Sequence, residues 1–221
     1  MTHILILGAT GQVGQELLAL ALSHPDVTRV VAPTRQPLPV HPKLENPQVD
    51  YEQLPPDAPW WRADMALCAL GTTLRRARSR AGFYRVDHDY VLAAARLIQR
   101  AGTPVFGLVS SLGANPGSRV FYLRVKGKIE QDLDALAFPS LIMIRPSLLV
   151  GGPRASAHPV EALGLFAAKW LSALLPRQYR AVTTRAVALN LFQACREARP
   201  GAHIIESDVI TSGPVVNPIQ T

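Results

Sequence analysis

Tyr122 and Lys126 stand four residues apart in the run Tyr122-Leu123-Arg124-Val125-Lys126, which places both side chains on one face if the run is helical. An ammonium beside a phenol favours the phenolate, so such a pair can exchange a proton with a substrate as general acid or base. Ser110 and Ser111 lie 12 and 11 residues before the tyrosine, directly after an apolar run. A hydroxyl at the end of a strand can hydrogen-bond a substrate carbonyl and hold it beside the tyrosine proton. The bland alternatives are a surface pair on a helix and two serines in a turn.

The second constellation is Gly8-Ala9-Thr10-Gly11-Gln12-Val13-Gly14, which follows the apolar block Ile4-Leu5-Ile6-Leu7. Glycines let a backbone turn tightly and approach a pyrophosphate, whose charge is met by the amides opening the next helix. Gly8, Thr10, Gly11, Gln12, Val13 and Gly14 are therefore candidate dinucleotide contacts. The spacing is Gly-x-x-Gly-x-x-Gly, not Gly-x-Gly-x-x-Gly. An acidic residue about 20 positions further on would hold the ribose hydroxyls of NAD. Pro33-Thr34-Arg35 stands there instead, and Arg35 can meet the 2′-phosphate of NADP, so NADP (NADPH) is expected ahead of NAD.

These residues need a scaffold that brings strand ends to one edge. Short apolar blocks at residues 4–7, 29–32, 48–51, 63–70, 104–110, 141–144 and 203–205 read as strands. Helical periodicity at residues 15–22, 87–100, 122–136 and 185–198 separates most of them. Residues 33–47 are rich in proline and read as a loop. Strands alternating with helices imply parallel pairing through right-handed crossovers, an α/β fold with a doubly wound sheet. The chain is expected to be one domain, residues 1–221, with residues 151–200 as a small C-terminal lobe on the substrate side. Within that lobe Val160, Leu163, Ala167, Trp170, Leu171 and Leu174 mark one helix face, and residues 211–221 read as a loose tail.

With 48% hydrophobic and 18% charged residues in 221, the composition excludes general disorder. No apolar run reaches the length of a membrane span, and the N-terminal run flows into the glycine motif without a basic leader, so neither membrane insertion nor secretion is expected. Cys68 and Cys195 lack further ligands at metal spacing, so no metal is expected, and the setting is read as reducing and cytoplasmic. The net charge of +7 comes mainly from 19 arginines, densest at Arg75, Arg76, Arg78 and Arg80. No aromatics interleave there, so nucleic acid is not the expected partner.

Together the glycine loop, the strand end Cys68-Ala69-Leu70-Gly71-Thr72-Thr73, the paired serines and the Tyr122/Lys126 pair resemble an atypical short-chain dehydrogenase/reductase. Val86-Asp87-His88-Asp89-Tyr90-Val91, Ser110-Ser111-Leu112-Gly113-Ala114 and Tyr122-Leu123-Arg124-Val125-Lys126-Gly127 are similar to its Tat-interactive oxidoreductase-like branch. The resemblance implies a Rossmann-type fold and NAD(P)H-dependent hydride transfer to or from a small carbonyl or alcohol. It implies that Tyr122 exchanges the proton, that Lys126 binds the nicotinamide ribose, and that Ser111, with Ser110 in reserve, orients the carbonyl. It further places Asp50 near the adenine, Leu70, Gly71 and Thr72 along the cofactor, and Arg145-Pro146-Ser147 at the start of the substrate-facing loop. Asp87 departs from the wider family, where asparagine is common. An NADPH-sensing binding protein and a nucleotide-sugar epimerase or dehydratase are the alternative functions; a homodimer or a regulatory protein partner is compatible with either.

Overall fold

The computed structural model describes residues 2–151 and 176–210. In chain order the elements are β1 (Thr2–Leu7), α1 (Gln12–Ser23), β2 (Val27–Val31), β3 (Leu44–Glu45), β4 (Met65–Cys68), α2 (Leu74–Ala77), α3 (Arg80–Tyr84), α4 (Tyr90–Arg100), β5 (Val105–Val109), α5 (Phe121–Asp134), β6 (Ser140–Arg145), β7 (Leu149–Val150), β8 (Val182–Thr183), α6 (Thr184–Glu197) and β9 (Gly201–Glu206). Seven strands form one parallel sheet in the order β3-β2-β1-β4-β5-β6-β9. The order reverses between β1 and β4, the point at which a doubly wound sheet opens a crevice beyond its strand ends.

Successive strand residues point to opposite faces, so an uninterrupted apolar strand signals a sheet covered on both sides. Ile4 and Ile6 join Leu17 of α1 and Val187, Leu191 and Cys195 of α6 in one core. Leu5 and Leu7 join Ala95 and Ile98 of α4 and Ile129 and Leu133 of α5 in the other. These four side chains of β1 are fully buried. Thus Thr184–Glu197, inside the expected C-terminal lobe, is a sheet-covering helix. The helix expected on the face from Val160 to Leu174 and the tail at 211–221 lie outside the described residues.

Two elements differ from the expectation. The third strand is Leu44–Glu45, within the proline-rich stretch, and not residues 48–51. The outer edge of β2 is satisfied there, with Val30 N–H donating to Lys43 O and Ala32 N–H to Glu45 O. Pro47 has no N–H to extend that ladder, so only an isolated Thr34–Gln48 bridge follows. Asp50 then accepts from Glu52 N–H at 2.9 Å and starts a turn. The helix expected from residue 87 begins earlier, as α3, and passes into α4 through a π-helical turn at Arg85–Asp89.

Candidate functional site

Gly8 ends β1 with φ +78°, a left-handed conformation that favours glycine, and a Cβ there would lie 2.6 Å from the Ala69 carbonyl carbon. A Cβ on Gly14 would lie 2.0 Å from Gly8 O, so the first turn of α1 is pressed against the loop. Gly11 caps α1 without a side-chain acceptor, which leaves first-turn amides available to an anion.

A cleft of about 800 Å³ opens beside this loop. Of the expected cofactor contacts, Gly8, Thr10, Gly11, Arg35, Leu70, Gly71 and Thr72 line it. Gln12, Val13, Gly14, Asp50 and Lys126 do not: Val13 and Gly14 are buried beneath the loop, Gln12 and Asp50 face solvent, and Lys126 is buried behind Gly71. Tyr51, next to Asp50, lines the cleft instead, with its hydroxyl donating to Pro33 O at 3.1 Å and its ring stacked 5.8 Å from Tyr90. Burial pushes the Tyr51 phenol well above its ordinary value. Arg76, from the basic cluster, is a second arginine in the lining, and no carboxylate lines the cleft among the described residues. Sequence reading missed both because Tyr51 closed the stretch 48–51 read as strand and Arg76 was one of several similar arginines.

At the far side of Gly71, α5 presents Tyr122 half-buried, its ring centroid 5.4 Å from that of Phe83. Lys126 is buried one turn on, with Nζ 2.7 Å from Asp87 Oδ1. The other oxygen, Asp87 Oδ2, accepts the Thr72 N–H at 2.8 Å. A Cβ on Gly71 would lie 3.1 Å from Asp87 Oδ1 and 3.7 Å from Lys126 Nζ, so the ion pair backs directly onto the cleft wall. Burial pulls the Lys126 ammonium down, but the Asp87 carboxylate and Tyr122 outweigh it, so the net displacement is upward. Sequence reading treated Asp87 as a departure from a family pattern and missed this pairing. The π turn is where it arises: there the consecutive residues Asp87 and His88 are both buried.

Ser110 is buried just after β5, and its hydroxyl has no hydrogen-bond partner among the described residues. Ser111 is half-buried and makes only a 3.4 Å contact to Leu112 O. The loop after them lies on α5, where Asn115 N–H donates to Leu123 O at 3.1 Å. The serines and the Tyr122/Lys126 helix therefore reach the same edge of the sheet. Of the expected substrate-facing run, Arg145 ends β6 and is committed to Glu130 at 2.6 Å and Glu206 at 2.8 Å, ties that hold α5 to β6 and β9. Hydrogen bonding to Glu130 raises the Arg145 guanidinium further above its ordinary value.

No protein-family profile matches the chain. It is 33% identical over 178 residues to the protein fmp52, mitochondrial, of Emericella nidulans, covering 75% of this chain and 74% of that one. It is 38% identical over 152 residues to the protein HTATIP2 of Rattus norvegicus, covering 66% and 62%. Among solved structures it is similar to the Bordetella bronchiseptica enzyme WbmH in complex with NAD+, at a TM-score of 0.68 and 15% identity over 94% of this chain and 76% of that one. It is also similar to the PhqB reductase domain of Penicillium fellutanum, at 0.63 and 19% over 92% and 66%. At those identities the structures establish the fold alone.

The relatives also correct the cytoplasmic expectation, since several fungal ones are named mitochondrial. The cysteine argument had no power to discriminate: Cys68 and Cys195 are free and buried, a state that any thiol-reducing compartment allows. Identity and coverage against fmp52, with the parallel sheet and its glycine turn, establish that the chain belongs to the HTATIP2/Fmp52 family of atypical short-chain dehydrogenases/reductases.

Proposed function

We propose that this chain is an NADPH-dependent oxidoreductase that acts on a small carbonyl or alcohol. One observation carries the reading: the buried Lys126–Asp87 pair, one turn from Tyr122, abuts Gly71 in the wall of the cleft that starts at the glycine loop. The cleft suits a dinucleotide, because the first-turn amides of α1 lack a side-chain cap and Gly8 leaves no room for a Cβ. A bound nicotinamide coenzyme supplies the hydride in reduction and accepts it in oxidation. In reduction Tyr122 Oη–H gives its proton to the carbonyl oxygen; in oxidation the phenolate takes it back. Lys126, kept cationic by Asp87, binds the nicotinamide ribose, and Ser111 orients the carbonyl with Ser110 behind it. Arg35 and Arg76 favour NADPH over NADH, because among the described residues the cleft offers a 2′-phosphate two cations and no competing carboxylate.

The test combines calorimetric titration with NADPH and turnover against a panel of aldehydes and ketones. The expected result is NADPH uptake by both wild type and Tyr122→Phe, with reduction by the wild type alone. A wild-type protein that takes up neither NADPH nor NADH would overturn the reading.

A further inference from the structure

His88 is the one buried histidine of the π turn, and its side chain is 7% exposed. Its Nδ1 lies 2.9 Å from Asp89 Oδ1, and its Nε2 lies 2.8 Å from Asp132 Oδ2 on α5. The ring stacks on Tyr84 at 4.4 Å and 26°, and Lys128 Nζ, also on α5, sits 5.8 Å from the centroid of that tyrosine. The neighbour of His88 in the chain is Asp87, which holds Lys126 and the Thr72 amide.

We propose that His88 is a positioning residue, which clasps the π turn to α5 through Asp132 and so holds Asp87 against Lys126 and Thr72. A π turn bonds i to i+5, as Tyr90 N–H does to Arg85 O, a rarer ring than the α-helical one, so contacts from outside help to hold it. Besides the Asp87–Lys126 pair that it positions, the turn has a charged tie from Arg85 to Glu52 at 3.1 Å, but both of those side chains are more than half exposed. Exposed pairs of that kind contribute little. The His88–Asp132 contact has one partner almost fully buried, and it joins the turn to the helix that carries Tyr122 and Lys126. Because residues 87 and 88 are consecutive, a turn that slips from Asp132 carries Asp87 with it.

The catalytic consequence rests on the proposed cofactor role of Lys126; the structural one does not, and the experiment separates them. Amide hydrogen exchange at Thr72 is measured in the cofactor-free protein, since that N–H donates to Asp87. In His88→Phe, which keeps the stacking on Tyr84 and removes both polar contacts, Thr72 should exchange roughly tenfold faster while β1 and α4 amides keep their protection. His88→Gln, with one donor retained, should recover part of that protection. Asp132→Asn, a near-isosteric change at a half-exposed position, should move Thr72 in the same direction by less. NADPH turnover should show KM rising in His88→Phe more than kcat falls. Unchanged Thr72 exchange in His88→Phe and Asp132→Asn overturns the clasp, whatever the cofactor results. Faster exchange in a protein that never takes up NADPH keeps the clasp and overturns the functional reading instead.

Discussion

Lys126 Nζ lies 2.7 Å from Asp87 Oδ1, and both side chains are almost fully buried. Desolvating two charges is costly, and their mutual attraction offsets that cost only with good geometry and further hydrogen bonds. Here the second carboxylate oxygen has one, from the Thr72 amide. The pair therefore links the helix bearing Tyr122 to the strand-end loop lining the cleft, so a cation persists at that wall without an exposed counter-charge competing for a ligand.

Asp87→Asn should destabilise the protein by about 3–5 kcal/mol, because it leaves a buried ammonium uncompensated. Urea unfolding measures the loss. The pH dependence has a definite sign: the Lys126 value is raised in the fold, so its contribution is fully present below the unfolded value of 10.5 and is lost as pH rises through the raised one. Without the carboxylate, burial pulls the lysine down, so the deficit of Asp87→Asn should shrink as pH rises through the lowered value.

Tyr122→Phe should lower kcat by about 10²- to 10⁴-fold, the usual range for removing a positioned acid or base. The ring still packs on Phe83, so the fold should keep its melting temperature and NADPH its affinity. Stopped turnover with unchanged calorimetric binding is the expected pairing.

Arg35→Ala should raise the KM for NADPH by about 10- to 100-fold, in keeping with roughly 1.5–3 kcal/mol for a hydrogen bond to a charged group. KM for NADH should hardly move, since it lacks the 2′-phosphate. Steady-state kinetics with both coenzymes separates the two, and an equal loss on both would remove Arg35 from phosphate recognition.

Gly14→Ala should destabilise by about 1–3 kcal/mol, the range for overpacking a close contact. The added Cβ would meet Gly8 O at 2.0 Å, so the loop and α1 must separate. Thermal unfolding and NADPH affinity should fall together, because one displacement affects both.

His3 should contribute to acid lability. Burial, then the nearby Arg29 charge, lowers its value below 6.5, and its Nε2 is buried without a partner. A depressed group contributes stability above the unfolded value that is lost as pH falls toward the folded one. Urea midpoints from about pH 8 to about pH 5 should decline less steeply in His3→Leu.

Much of the framework was readable along the chain. Ile4-Leu5-Ile6-Leu7 had to be a strand covered on both faces, and Pro25 had to follow the end of α1, because periodicity and proline act locally. The third strand was misplaced because its residues, Leu44 and Glu45, have no apolar pattern of their own and pair only because β2 offers an open edge. Asp50 and Tyr51 show the same limit: Asp50 alone was the candidate, and with the turn at Asp50 it is the neighbouring tyrosine that lines the cleft.

The sequence by itself determined which groups can do chemistry: a glycine turn ahead of a helix, a phenol and an amine one helical turn apart, and an arginine where an acid would hold NAD. The tertiary structure alone decided that Asp87 meets Lys126, that Arg76 joins Arg35 in one cleft, and that His88 reaches Asp132. The physical reason is range. Backbone preferences and side-chain periodicity act over a few residues, whereas these pairings depend on how the π turn, the strand ends and α5 settle against a common sheet.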